Sequence, residues 1–423
     1  MNARGDIEYN GKWRFPEYNS LMHRNPFQEC VGTLYYNNTK NSILEVYHKP
    51  NSPSIGTITE MFCTYSTVLG SDAYGDVFTL FNLKMISQEI SKTVFSVEYC
   101  LVGKNVKSID TPIFDVCIVH FPYLRNWTFE PLRNIVSEKG FLVTKLNTKN
   151  EPQILEWNIE DNITLQLHRD YIVNNTRYET TIKEDTLLLI KSKELLSVRK
   201  FLKQIHIFKQ FLSIALYGEQ NPCRIEFRVA SERNREVARL LYRIKDSYEP
   251  YVIPLLQYDK IANKVSNILK KWYSDYEQMS PICDYLIQST HRGCFDAPNF
   301  LVIAQALDGY YKRFVNKKKQ EYKKQIELLL EHFENVDLLQ KCKIDAEVLK
   351  QSRHKYSHLI PDDDEKMQQA LSGEALHRLT RKAMVLLVCC ILDNLGLTTD
   401  EINNCLNESE IARYIDRISF YED

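Results

Sequence analysis

At 423 residues the chain is longer than one hydrophobic core normally organises, so two or three domains are expected. Its 44% apolar and 26% charged residues exclude a disordered chain. A formal net charge of -1 excludes a uniformly basic nucleic-acid coat, while leaving room for a basic stripe on one domain.

The 11 cysteines are odd in number and include no C-x-x-C pair, so neither a disulfide framework nor a zinc site of familiar spacing can be read. Reduced thiols in a cytosol fit this usage. No signal-peptide stretch follows Met1, and no run approaches the roughly 18 apolar residues of a membrane span. A cytoplasmic protein with no membrane partner and no cofactor or metal is expected.

From Trp13 to about Ser192 the pattern is short β-branched and aromatic runs. Ile43 to Tyr47, Phe78 to Leu83, Val94 to Val102, Phe114 to Phe121, Ile163 to Leu167 and Thr186 to Ile190 are separated by turn formers such as Gly70 to Asp76. They predict a β-rich, sandwich-like or barrel-like domain over 1–193. At Leu195 the period changes: Val198, Phe201, Leu202, Ile205, Phe208, Leu212 and Ala215 recur at helical spacing, with Gly218 as a stop. A strand candidate, Arg224 to Val229, and Pro250 and Pro254 complete a connecting region over 194–254.

From 255 to 423 the helical period repeats: Ile261, Val265, Ile268 and Trp272; Phe300, Ala304, Leu307 and Tyr311; Ile326, Leu329, Leu330 and Phe333. The clearest case places Leu376, Leu379, Ala383, Leu386, Leu387, Cys390 and Ile391 on one face, with Gly396 just past its end. Such helices imply a bundle, and the chain as a whole an α+β multidomain protein.

Before that last helix stands Gln351, Ser352, Arg353, His354, Lys355, Tyr356, Ser357, His358, Leu359, Ile360, Pro361. His354 and His358 are four apart and share a helix face, and Pro361 should end the helix soon after His358. The basic cluster then sits at a helix C-terminus, where the macrodipole favours cations. Cleaving RNA without a metal requires a base for the ribose 2′-hydroxyl, stabilisation of charge on a phosphorane-like centre, and an acid for the leaving 5′-oxygen. Histidine exchanges protons near neutral pH, and a planar guanidinium holds phosphate oxygens bidentately. Arg followed five positions later by His is also frequent by chance, and a solvated basic helix end is the plainer reading.

Lys312, Arg313, Lys317, Lys318, Lys319, Lys323 and Lys324 form the most basic stretch, opposed by Glu321. It is either a solvated helix face or a phosphate-tracking surface, with Tyr310, Tyr311 and Tyr322 for base stacking and Lys355 as a further phosphate contact. Asp362, Asp363, Asp364 and Glu365 read as a solvated loop or helix cap in preference to a metal site. Glycines too dispersed for a phosphate loop argue against nucleotide hydrolysis.

The run from Arg353 to His358, the following helix ending Leu392, Asp393, Asn394, Leu395, Gly396, Leu397, and Asp308 in Ala306 to Tyr311 resemble the HEPN superfamily, specifically its ApeA-like anti-phage proteins. Gly11 to Pro16, Val31 to Leu34 and Leu124 to Trp127 carry a looser likeness in the first half. The resemblance implies a β-rich domain joined to a C-terminal HEPN bundle, and metal-independent RNA cleavage by a homodimer in a protein that restricts phage. Arg353 and His358 match the family's Arg and His. His354 stands where Asn is commoner, and Asp308 where Glu is usual, so both enter as candidate catalytic residues. RNA, with tRNA as one candidate, a second copy joined through the bundle, and a phage-derived trigger of the first domain are the implied partners. A protein that binds RNA or senses a signal, and whose bundle only dimerises, is the alternative.

Overall fold

The structure, a computed structural model, describes residues 7–16, 27–47, 64–128, 133–138, 141–146, 154–160, 162–177, 179–229, 237–249, 253–291, 297–361 and 367–420. The chain divides into two compact units, one of Met1–Pro122, Asn150–His206 and Asn221–Asp246, the other of Tyr123–Lys149, Ile207–Gln220 and Ser247–Asp423.

The first unit begins with β1 (Ile7–Pro16), β2 (Phe27–Tyr36), β3 (Ser42–Val46), β4 (Thr64–Asp72), β5 (Val77–Gln88) and β6 (Thr93–Val102). Burial alternates along them, as in β3, because successive side chains point to opposite faces. Neighbours pair antiparallel in the order β6, β3, β2, β1, β4, β5, and β5 pairs again with β6, so the strands close into a barrel. Its interior holds Trp13, Phe15, Leu34, Leu44, Val68, Phe78, Phe95 and Val97. The Trp13 indole donates to Gly32 O at 3.1 Å. Phe15, Tyr65 and Phe95 contact one another with ring centroids 5.1 to 5.7 Å apart.

The expected turn at Gly70 to Asp76 is shorter than the sequence suggests, because Gly70 is a strand residue whose missing Cβ makes room for Trp13. A Cβ there would lie 2.3 Å from the indole. The turn itself is built by Asp72, whose Oδ1 accepts from the amides of Tyr74 and Asp76, both at 2.9 Å.

After β7 (Phe114–His120) come a short helix, α1 (Leu124–Thr128), and a hairpin of β8 (Arg133–Glu138) and β9 (Phe141–Leu146). Then follow β10 (Ile154–Glu160), β11 (Ile163–Asn175), β12 (Thr180–Leu196), α2 (Val198–Ala215), β13 (Arg224–Arg228) and β14 (Ala238–Tyr242). The barrel's sheet runs on from β6 through β14, β13, β7, β12, β11 and β10. Phe114, Phe201 and Phe227 pack beside it, with Phe227 at 5.0 Å from Phe114 and 5.8 Å from Phe201.

The helix expected from Val198 to Ala215 is present, but its stop differs. Tyr217, at φ +51°, takes the left-handed position, and the amides of Tyr217 and Gly218 bond back to Ile214 O and Ser213 O. Gly218 instead serves close approach, since a Cβ there would meet the Tyr248 ring at 2.5 Å.

The second unit takes in α1, the β8 and β9 hairpin and the part of α2 from Ile207 on, and is otherwise helical: α3 (Tyr258–Ile261), α4 (Val265–His291), α5 (Ala297–Tyr310), a π-helical turn over Tyr311–Val315, α6 (Tyr322–His332), α7 (Asp337–Cys342), α8 (Ala346–His358), α9 (Gly373–Asn394), α10 (Thr399–Asn407) and α11 (Glu410–Phe420). In α9 every residue from Ala383 to Leu392 is buried, so this half of the helix is enclosed on all sides, while the first turns keep the one-sided pattern its periodicity suggested, with Glu374 and Ala375 exposed and Leu376 and Leu379 buried. It ends as expected, with Gly396 at φ +86° and Leu397 N bonded to Leu392 O at 3.2 Å. Trp272 on α4 donates to Ile207 O at 2.9 Å, and Lys264 pairs with Glu401, which also closes the capping box of α10 with Thr398. Among the described residues no helix is long and apolar enough to cross a membrane.

Candidate functional site

Helix α8 is fixed at both ends and along one face. Its N-cap, Asp345, accepts from the amides of Glu347 and Val348 at 2.7 and 3.2 Å. At the other end Leu359 turns left-handed at φ +51° and Ile360 N returns to Lys355 O at 3.0 Å, immediately before Pro361. Leu349 and Ser352 are wholly buried; Ser352 Oγ accepts from Leu371 N at 3.0 Å, while the Tyr356 hydroxyl donates to Leu371 O at 3.1 Å. The helix therefore cannot rotate without breaking this face, and Arg353, His354, Ser357 and His358 stay on the other sides.

Arg353 is held from two elements. Its Nη2 lies 3.2 Å from Asp308 Oδ2 on α5, where Lys312 Nζ approaches the same oxygen at 2.8 Å. Its Cζ stands 4.2 Å from the centroid of the Tyr322 ring on α6. Tyr322 is itself fixed, its hydroxyl donating to Ala304 O at 3.1 Å, and burial raises its phenol well above the usual range despite the opposing guanidinium. The guanidinium thus rests on an aromatic plate against a carboxylate, with 30% of the Arg353 side chain still exposed. Arg353 is consequently presented to an incoming anion in one orientation.

His354 and His358 are exposed neighbours with ring centroids 4.6 Å apart. The sequence expectation that they share a face is met, but Arg353 and His358, five residues apart, diverge by about 140° around the helix. Within one chain the structure joins Arg353 to Asp308 and His354 to His358, as two groups.

The basic residues also separate. Arg313, Lys317, Lys318 and Lys319 are exposed and in no ion pair among the described residues. Lys323 faces Glu347 and Glu327, and Lys324 faces Glu327. Lys355 is corrected: only 8% exposed, with its ammonium 5.7 Å from the Tyr356 ring centroid, it is withdrawn from the surface a phosphate would reach. The stacking tyrosines are corrected as well. Tyr310 and Tyr311 are 3% and 2% exposed core residues, and the face of Tyr322 carries Arg353. Asp362 to Glu365 lie outside the described residues. Among the described residues no three His, Cys, Asp or Glu side chains converge as a metal site would require.

Residues 8–272 match the family model described as ApeA N-terminal domain 1, and residues 301–401 match Apea-like HEPN. The chain belongs to the ApeA-like HEPN family. No curated protein matches it. The HEPN match takes in Asp308, Tyr322 and all of α8, so the two groups of polar side chains lie within the HEPN domain. The β barrel and its extension fall within the ApeA N-terminal match. What sequence reading missed in this ApeA-like HEPN site is the plate under Arg353. Tyr322 is distant from Arg353 in the chain, and no pattern pairs them.

Proposed function

We propose that this ApeA-like HEPN protein is a metal-independent endoribonuclease of anti-phage defence, in which Arg353 and His358 act at a groove shared by two copies. The observation that carries the reading is the platform under Arg353: a guanidinium oriented by Asp308 and Tyr322, yet open on one side, suits a scissile phosphate. One His358 removes the 2′-hydroxyl proton, the 2′-oxygen attacks phosphorus, and a second histidine protonates the departing 5′-oxygen. The products are a 2′,3′-cyclic phosphate and a 5′-hydroxyl. His354, against His358, orients it or substitutes for it, and Asp308 positions Arg353. The exposed Arg313, Lys317, Lys318 and Lys319 would track the RNA backbone, with tRNA one candidate substrate. The β-rich region is proposed as the receiver of a phage-derived trigger.

Sharing between copies is favoured by the divergence of Arg353 from His358 and by Leu359, a leucine 86% exposed immediately beyond His358. A two-fold interface brings each α8 near its symmetry mate, so that Arg353 of one copy could meet the histidines of the other.

The test of the chemistry is the product ends. Cleavage should persist in EDTA and leave 2′,3′-cyclic phosphate termini; strict Mg²⁺ dependence with 5′-phosphate ends would overturn the mechanism, and absence of any cleavage would favour an RNA-binding or sensor protein whose bundle only dimerises. Mixing wild-type with His358→Ala chains tests sharing. Activity should fall out of proportion to the mutant fraction, whereas a strictly proportional fall would place each site within one chain.

The platform makes its own prediction. Tyr322→Phe keeps the ring beneath Arg353 and should retain most activity. Tyr322→Leu removes a contact of about 0.5–2 kcal/mol and should raise KM more than it lowers kcat if the plate mainly orients Arg353 for binding. Equal kinetics in the two variants would deny the ring a role.

A further inference from the structure

A second candidate site lies elsewhere in the helical unit. Tyr217, Tyr248, Thr290, Arg381, Glu410 and Tyr414 line a cavity of about 210 Å3, smaller than the roughly 300–1,000 Å3 of a drug-sized pocket. Its walls are built by specific local structure. Tyr217 occupies the left-handed position that ends α2, where a glycine is usual, and this strained residue puts its side chain on the cavity. The next residue, Gly218, lets the Tyr248 ring lie against the backbone, and the Tyr248 backbone is tied on both sides, its amide to Glu219 O at 2.8 Å and its carbonyl to Gln220 Nε2 at 2.9 Å. Opposite, the Arg381 guanidinium lies 5.4 Å from the Tyr414 ring centroid, and the Tyr414 hydroxyl meets His377 Nε2 at 2.5 Å.

Burial pushes the Tyr217 phenol up to about 12, Arg381 pulls it down, and Glu410 pushes it further up. Lining this one small space are thus a guanidinium, a carboxylate and three tyrosine side chains. Ring faces stack on planar heterocycles, a carboxylate accepts from N–H groups, and a guanidinium donates to carbonyl and ring-nitrogen acceptors.

We propose that this cavity binds a purine base, and guanine best, because guanine offers N–H donors on one edge for Glu410 and the O6 and N7 acceptors on another for Arg381. The base comes either from a free nucleoside or nucleotide, or from an unpaired position of an RNA strand. The proposal does not depend on the nuclease reading, since binding is measured without cleavage.

The full chain would be titrated calorimetrically with guanosine, adenosine, cytidine and uridine, and in a second arm with a short single-stranded 2′-O-methyl RNA carrying one guanine in a uridine background, which lacks the hydroxyl that cleavage needs. Expected is saturable binding of one guanosine per chain, tighter than the pyrimidine nucleosides, and weakened about ten-fold by Glu410→Gln, which removes a charged acceptor. Because Glu410 begins α11, Arg381→Lys on α9 provides an independent variant, and thermal melting checks that both fold. Binding of the RNA without the nucleoside, with the same sensitivity to both variants, assigns the base to a strand. No binding in either arm, or binding that neither folded variant weakens, overturns the proposal.

Discussion

Replacing His358 with alanine is expected to lower RNA cleavage by about 10²- to 10⁴-fold while leaving the melting temperature unchanged, because positioned proton transfer contributes about that much to rate. The side chain is exposed in the last turn of α8, and the helix is held by Ser352, Tyr356 and the Asp345 cap, none of which the substitution touches. Arg353→Ala should be equally damaging for a different reason. It removes the oriented cation and leaves Asp308, whose side chain is 13% exposed, to repel phosphate with Lys312 as its remaining partner. Arg353→Lys should restore little, since an ammonium neither stacks flat on Tyr322 nor binds two phosphate oxygens in one plane. Initial rates on a single purified RNA would measure all three. Activity near wild type in either alanine variant would remove that residue from the reaction.

Trp13→Ala should destabilise the first unit by about 3–5 kcal/mol, the usual penalty for deleting a large buried aromatic side chain. Trp13 is fully buried, touches Phe78 with ring centroids 5.8 Å apart, and fills the space that Gly70 leaves by lacking a Cβ. The substitution also leaves Gly32 O without the indole donor. Because Gly70 cannot fill the hole and the flanking strands pair on both sides, the barrel cannot collapse into it. Urea unfolding of the full chain, read by far-ultraviolet circular dichroism, would show the loss as an earlier transition; a shift worth under about 1 kcal/mol would contradict this account of the core.

Much of this organisation was legible locally and little of it at long range. The change of period at Leu195 gave α2 its start, Pro361 gave α8 its end, and Gly396 gave α9 its end, because each is written in a few consecutive residues. The β-rich first part was legible from its β-branched runs. That it closes as a barrel was not, because closure depends on β5 and β3 taking opposite edges of β6, and strand composition does not specify partners. The burial of Lys355 and the plate formed by Tyr322 were illegible for a related reason: both follow from how helices pack against one another, which helical period does not specify. The Arg353 to Asp308 pairing was foreseen only as a pair of candidate residues, through likeness to a family.

Strand β6 also bears on the order in which the fold can form. One of its edges is filled by β5 along its length, while the other is divided between β3 at Thr93–Val97 and β14 at Tyr99–Val102. The strands that close the barrel all precede residue 103, whereas β14 spans Ala238–Tyr242. A nascent chain can therefore complete the barrel long before it contains the strand that occupies the last part of the β6 edge. Until then Tyr99–Val102 presents unpaired amides and carbonyls, and the sheet extension is joined to a ring that is already closed. The first unit is in this sense assembled in two stages along the chain, with one strand serving as a finished wall in the first and as a template in the second.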